Sequence, residues 1–273
     1  MCCARSKMAS LLRSCFSFYD YCFHELGNPH IKDWFLMSSP FPTLAIMGIY
    51  LWFVKDYGPK LMQNRPAYDL KRTMQIYNLI QVFLSGYTCY KLLAHGWLTR
   101  YSWRCEPTVF SLDDPEDYIV ATMVHLYYVT KIIDLLDTIF FTLRKKWNQI
   151  SFLHVYHHCG MVALSWSAVK WFTTGHGSMI MMLNSGVHTL LYLYYFLTSV
   201  SSEYNSAWWK KYLTTIQLVQ FMYICIHFGQ TVLHNPCHFG WVGQVVVIPQ
   251  NVFIFTLFAD FYYKTYIAKK KST

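Results

Sequence analysis

The stretch FLHVYHHCGM, residues 152–161, sets His154, His157 and His158 inside an apolar run. On a helix, spacings of three and four gather them on one side. Imidazole titrates near neutral pH and also ligates transition metals, and a buried ring needs hydrogen-bond partners in any case. The cluster suits metal binding, catalysis or internal hydrogen bonding, and its spacing alone does not rank the three histidines.

Three other stretches place polar groups where apolar ones would be expected. In KIIDLLDT, residues 131–138, Lys131, Asp134 and Thr138 adjoin on one helix face, with Asp137 beside them. Lys131 and Asp134 are spaced to pair, either as a structural seal or as part of a site beside Arg144, Lys145 and Lys146. Asn184, His188, Tyr192 and Tyr195 follow steps of four, four and three along one stripe. Thr214, Gln217 and Gln220 form another, which His227 continues seven residues on. A single buried amide commonly only joins membrane helices. Four neighbouring stripes favour one shared internal chamber.

The elements that carry these stripes are long and apolar. The chain has 273 residues, 54% hydrophobic and 19% aromatic, with 14% charged; soluble domains carry about 25% charged residues. Seven windows, 34–54, 74–95, 118–141, 150–172, 178–200, 212–233 and 241–263, approach the roughly 20 apolar residues that cross a bilayer. Pro40 and Pro42 interrupt the first. Runs of this length predict helices rather than barrel strands. The expectation is an all-α, polytopic membrane protein of about seven transmembrane helices around a central substrate tunnel. It is one domain over 1–273, with a short N-terminal region 1–33 and a basic tail 264–273. No cleavable signal peptide is read at the N-terminus, where polar and aromatic residues follow Arg13.

Basic residues orient the spans. Segment 55–73 holds Lys55, Lys60, Arg65, Lys71 and Arg72, loop 142–149 holds Arg144, Lys145 and Lys146, and Lys210 and Lys211 lie in 201–211. Loop 96–117 sets Arg100 and Arg104 against five acidic residues, and loops 173–177 and 234–240 carry no lysine or arginine. A cytosolic C-terminus places the basic loops on one side. The net charge of +9 is then mainly a cytosolic collar, part of which can meet an anionic substrate. Charge spread over loops between spans argues against nucleic acid. Cys105 and Cys237 fall in loops on the oxidising side and are expected to form a disulfide. Lys270 and Lys271 stand fourth and third from the end, as in a dilysine signal for retrieval to the endoplasmic reticulum.

In this order the four stripes resemble the motifs K-x-x-E-x-x-D-T, H-x-x-H-H, N-x-x-x-H-x-x-M-Y-x-Y-Y and T-x-x-Q-x-x-Q of the very-long-chain fatty acid elongases. Asp134 replaces the family glutamate, and Leu191 replaces the methionine. Returning glutamate to position 134 is expected to be tolerated. The resemblance implies a condensing enzyme of the endoplasmic reticulum membrane. Such an enzyme joins a long-chain acyl-CoA with malonyl-CoA into a 3-oxoacyl-CoA two carbons longer, releasing CO2 and CoA. It implies no cofactor beyond the two substrates and no metal, and it implies as partners the bilayer, other enzymes of the elongation cycle and a second copy of the chain.

The family also points to His157 as the acylated residue, with His154 and His158 orienting it. His157 lies about 10 Å from the cytosolic start of its helix and His188 about 18 Å from the cytosolic end of its own. Both can face one chamber, where His188 and Asn184 would polarise a carbonyl or bind an enolate oxygen. Lys131 and loop bases such as Lys145 would hold the CoA phosphates, and Asp134, Asp137, Thr138 and Arg144 belong to the same substrate site. Tyr192, Tyr195, Gln217 and Gln220 line the same chamber. Two other classes compete. A di-iron desaturase or hydroxylase would need about eight histidines in several boxes as ligands, and here one box exists. A seven-span receptor gives no reason for histidine-rich stripes near the cytosolic mouth.

Overall fold

The structure, a computed structural model, describes residues 2–205 and 207–268. Ten α-helices follow one another in the described residues: α1 (Cys2–Asp20), α2 (Phe41–Trp52), α3 (Gly58–Met62), α4 (Lys71–Leu92), α5 (Pro115–Ile133), α6 (Leu136–Leu143), α7 (Phe152–Trp171), α8 (Ser178–Val200), α9 (Ala207–Leu233) and α10 (Trp241–Tyr262). No strand occurs among the described residues.

Local chemistry sets several boundaries. Pro40 and Pro42 start the first expected span instead of interrupting it. Proline is tolerated in a first helical turn, where its missing N–H has no partner to lose, and α2 begins there at Phe41. The helix continues through a π-helical turn at Phe53–Tyr57 into α3. Asp114 caps α5, its carboxylate accepting from Glu116 N–H at 2.9 Å, and Pro115 takes the first position. Ser151 caps α7 by accepting from His154 N–H at 3.2 Å. The third window is one apolar stretch, Pro115–Leu143, broken at Asp134 and Leu135 between α5 and α6. The N-terminal region, expected only as a short lead-in, is helical over α1.

Four stretches are long and apolar enough to cross a membrane: Pro115–Leu143, Gly175–Val200, Trp209–Leu233 and Gly243–Ile267. Among the described residues the chain is therefore an all-helical, multi-pass membrane protein. Helices α4 and α8 run antiparallel in close contact, with Gln75 Nε2 donating to Ser199 O at 3.0 Å near one end and Trp97 Nε1 to Ser178 Oγ at 3.0 Å at the other. Glycine permits this approach, because a Cβ added to Gly186 would stand 3.3 Å from Cys89 Sγ. Helix α10 lies along α9, and α5 along α7.

The two ends of the bundle differ. Arg65, Lys71, Arg144, Lys145 and Lys210 belong to one end. At the other, Cys105 and Cys237 are disulfide-bonded with Cα atoms 5.5 Å apart. There loop 102–110 crosses the α7–α8 turn, with His176 N–H on Glu106 O at 3.2 Å and Thr174 Oγ1 on Val109 O at 2.7 Å. Gly175, at φ +60°, faces Pro107 O so closely that no side chain fits.

Candidate active site

The break between α5 and α6 turns the 131–138 stripe into a buried polar knot. Lys131, Asp134 and Thr138 are 3%, 1% and 0% exposed. Lys131 Nζ donates to Asp134 Oδ2 at 2.9 Å and reaches His188 Nδ1 at 3.3 Å. An ammonium only donates, so His188 Nδ1 accepts, and the neutral ring carries its proton on Nε2. Asp134 Oδ2 lies 3.8 Å from the same His188 nitrogen, too far to compete as a hydrogen-bond partner. Asp134 Oδ1 accepts from Gln81 Nε2 of α4 at 2.8 Å and lies 3.1 Å from Tyr192 OH, which donates to Asp137 Oδ2 at 2.8 Å.

One turn from His188 on α8, Asn184 Oδ1 accepts from Tyr127 OH at 2.7 Å. The Asn184 amide therefore presents its NH2 group away from Tyr127. Asn184 Nδ2–H and His188 Nε2–H are two donors one helical turn apart, an arrangement suited to an oxygen that gains negative charge. The Lys131 ammonium stands 4.8 Å from the Tyr127 ring centroid, which ties the two halves together.

The histidine box is held at one member. His154 Nε2 is 2.8 Å from Thr138 Oγ1, which is 2.7 Å from Tyr50 OH of α2. The His158 ring packs on His154 at 4.3 Å between centroids and on His157 at 5.7 Å. Among the described residues, His157 and His158 make no side-chain hydrogen bond, and both are half-buried. Their ring nitrogens remain available for chemistry.

Two small cavities adjoin between this level and the disulfide end. One is lined by Met161, one turn below His157, together with Asn184, Gln220, Gln250 and Asn251. The other is apolar and bounded by Trp171, Phe172, Phe228 and Phe239. Leu164, Ile180 and Val247 line both.

The expected residues distribute unevenly. Asn184 and Gln220 line the first cavity, and His188, Tyr192, Asp134, Asp137 and Thr138 join the knot. Lys131 was expected at the CoA phosphates, yet it sits buried in that knot, its charge met by Asp134. Arg144 is part-buried with Nη1 3.0 Å from Met74 Sδ, and Lys145 stands beside it. Tyr195 is 41% exposed, and Gln217 is half-buried and has no place in the cavity wall. Lys270 and Lys271 lie outside the described residues. Sequence reasoning missed Tyr50, Gln81, Tyr127, Gln250 and Asn251. The last two could have been found, because adjacent amides after Pro249 in an apolar helix break the same rule that exposed Asn184. Gln250 Oε1 accepts from Tyr156 OH at 2.7 Å, and Asn251 Nδ2 donates to Phe221 O at 2.8 Å.

The fold and site define a multi-pass helical membrane protein with a buried polar knot beside a histidine box. The profile described as ELO, the GNS1/SUR4 family, matches residues 35–273, and the chain belongs to that family. It is similar to very long chain fatty acid elongase 7 of Rattus norvegicus, 40% identical over 251 residues that cover 91% of this chain and 89% of the relative. It is likewise similar to very long chain fatty acid elongase 1 of Mus musculus, 37% identical with 91% of each covered. With elongase 4 of Homo sapiens it is 37% identical over 90% of this chain and 78% of the relative.

Proposed function

We propose that this chain is a very-long-chain 3-oxoacyl-CoA synthase, the condensing enzyme of fatty acid elongation. One observation carries the reading. Two oriented donors, Asn184 Nδ2–H and His188 Nε2–H, stand one helical turn apart, and Asn184 lines the first of two adjoining cavities, the second of which is apolar and bounded by aromatic rings. The two cavities mark the line that an acyl tail would take below the histidine box, with its carbonyl carbon beside His157.

The chemistry divides into two steps. A neutral His157 nitrogen attacks the acyl thioester carbonyl. The C–S bond breaks, CoA thiolate leaves and takes up a proton, and the acyl group remains on the imidazole. Malonyl-CoA then loses CO2 to give an enolate, whose carbon attacks the acyl carbonyl. The C–N bond breaks, the departing imidazole nitrogen takes up a proton from water, and the free imidazole and 3-oxoacyl-CoA result. Asn184 and His188 stabilise the oxygen that becomes negative, and His154 and His158 orient His157. Arg144 and Lys145 meet the CoA phosphates, where guanidinium and ammonium groups suit a polyanion. Lys131 acts through His188 and not on phosphate. No cofactor beyond the two substrates is required by these steps.

The same reading takes the seven helical stretches that occupy the expected windows as seven spans of one domain, with the C-terminus in the cytosol. It places the protein in the endoplasmic reticulum, among other enzymes of the elongation cycle and with a second copy as a candidate partner. Supply of CoA esters from the cytosolic side agrees with the basic loops near the histidine box.

The test is incubation of purified protein with acyl-CoA in the absence of malonyl-CoA. CoA release should approach one equivalent and stop, and the peptide containing His157 should gain one acyl mass. The folded variant His157→Ala should show neither. Active protein with no adduct would replace the acyl-histidine with direct attack in a ternary complex.

A further inference from the structure

Asp134 is shorter by one methylene than the glutamate expected at its position, yet its carboxylate is fully engaged. Lys131 holds Oδ2 at 2.9 Å, while Gln81 at 2.8 Å and Tyr192 at 3.1 Å meet Oδ1. Gln81 comes from the middle of α4 and is 0% exposed. Its Nε2 also lies 3.2 Å from Tyr77 OH, whereas its Oε1 is buried with no partner among the described residues. Leaving an amide oxygen unpaired in the interior is costly. A side chain needed only for packing would be apolar here. The amide stays because its donor end is aimed at Asp134.

We propose that Gln81 is a positioning residue of this enzyme, and that its amide spans the gap left by the shorter acid. The chain of contacts runs from Gln81 to Asp134, from Asp134 to Lys131, and from Lys131 to His188 Nδ1. The last contact keeps the His188 proton on Nε2, facing the reacting oxygen. Residues 81 and 134 are therefore matched as a long amide with a short acid. A glutamate at 134 would carry its carboxylate about 1.5 Å further, one carbon–carbon bond, into the space that Gln81 Nε2 fills. This changes the simple expectation that Asp134→Glu is tolerated: glutamate fits only when residue 81 gives way.

The inference rests on the condensing activity proposed above, and the test separates the two. Full-length wild type, Gln81→Met, Asp134→Glu and the double variant are purified, and malonyl-CoA-dependent CO2 release is measured over a range of acyl-CoA. Methionine keeps the volume of glutamine and removes the donor, so it tests the hydrogen bond alone; the double variant instead pairs Asp134→Glu with Gln81→Ala, which clears the space the longer acid enters, with Gln81→Ala measured alone beside it. Each single variant should lose about 10- to 100-fold in kcat, the effect of orphaning one buried hydrogen-bonding group. KM for acyl-CoA should stay within about twofold, because no ground-state contact to substrate is lost. The double variant should return to within about threefold of wild type, a non-additivity expected only of residues in contact. Full kcat in Gln81→Met, or a double variant no better than Asp134→Glu, overturns the role of Gln81. Should Gln81→Met not fold, Asp134→Glu against the double variant decides alone. Wild-type protein that releases no CO2 overturns the condensing activity itself.

Discussion

Thr138 Oγ1 lies 2.8 Å from His154 Nε2, and its other neighbour is Tyr50 OH at 2.7 Å. The three groups form one hydrogen-bonded chain from α2 through α6 to α7. It pins the ring against which His158 packs. Thr138→Val breaks the chain with little change in shape and should lower condensation roughly 5- to 100-fold, the cost of one orphaned buried partner. Thr138→Ser should retain most of the rate, and Tyr50→Phe should fall between. Steady-state rates of the three variants check the order. Equal rates for Thr138→Val and wild type would remove His154 from the machinery.

Lys131 and the basic residues of the mouth should separate cleanly. Lys131→Met leaves Asp134 charged in the interior, which costs about 3–5 kcal/mol when one partner of a buried pair is removed. The expected result is poor yield and a lowered melting temperature. Lys131→Met with Asp134→Leu should recover much of that stability while activity stays lost, since His188 is no longer oriented. Arg144→Ala and Lys145→Ala should leave the melting temperature near wild type. They should raise KM for both CoA substrates, and the wild-type KM should rise with salt as charges are screened. A rise in KM with unchanged stability in Lys131→Met would return that lysine to the phosphates.

Much of this architecture was legible in the order of residues, because membrane spans are written as long apolar runs. Each expected window contains a helical stretch and α8 matches at both ends, but α2 begins only at Phe41 and four of the stretches are long and apolar enough to cross a membrane. Intramembrane polar residues likewise mark a site by their cost, and the stripes on α5 and α8 and the box on α7 do converge. What was not legible depends on partners across helices. Lys131 reads equally as a phosphate ligand or as half of a buried pair until Asp134, Gln81 and His188 are seen around it. Gln81 could also have been found, because Asn78, Gln81, Ser85 and Thr88 step by three, four and three along α4 and are all buried, a polar stripe of the same kind as those on α5 and α8. The break at Asp134 has no proline or glycine to announce it.

The disulfide should be stable and protective. Cys105 and Cys237 are 132 residues apart, so their bridge closes a long loop and should stabilise by about 2–4 kcal/mol. Both cysteines should resist alkylation in intact protein until a reductant is added. Cys105→Ser or Cys237→Ser should lower the melting temperature by a similar amount. Ready labelling without reductant would remove the bridge and the orientation argued from it.

The floor of the apolar cavity should set product length. Phe239 lies two residues from Cys237, and Asn235 fixes its backbone on both sides, accepting from Phe239 N–H at 2.8 Å and donating to Phe239 O at 2.9 Å. Its ring packs at 5.2 Å from Phe172, 5.4 Å from Phe228 and 5.1 Å from His176, so four rings from three chain segments close the lower end. An acyl tail that reaches these rings can grow no further without displacing one. Phe239→Leu removes part of the floor at a smaller stability cost than alanine, which would lose about 3–5 kcal/mol. Its products should extend at least one two-carbon step beyond those of wild type, while the rate on the shortest substrates stays the same. Reduction of the disulfide frees the segment that carries Phe239 and should blur the same limit without shifting it to one new length. Product profiles by mass spectrometry for wild type, Phe239→Leu and reduced wild type decide between these outcomes. An unchanged profile in Phe239→Leu would mean that chain length is measured elsewhere, at Leu164, Ile180 or Val247, which line both cavities.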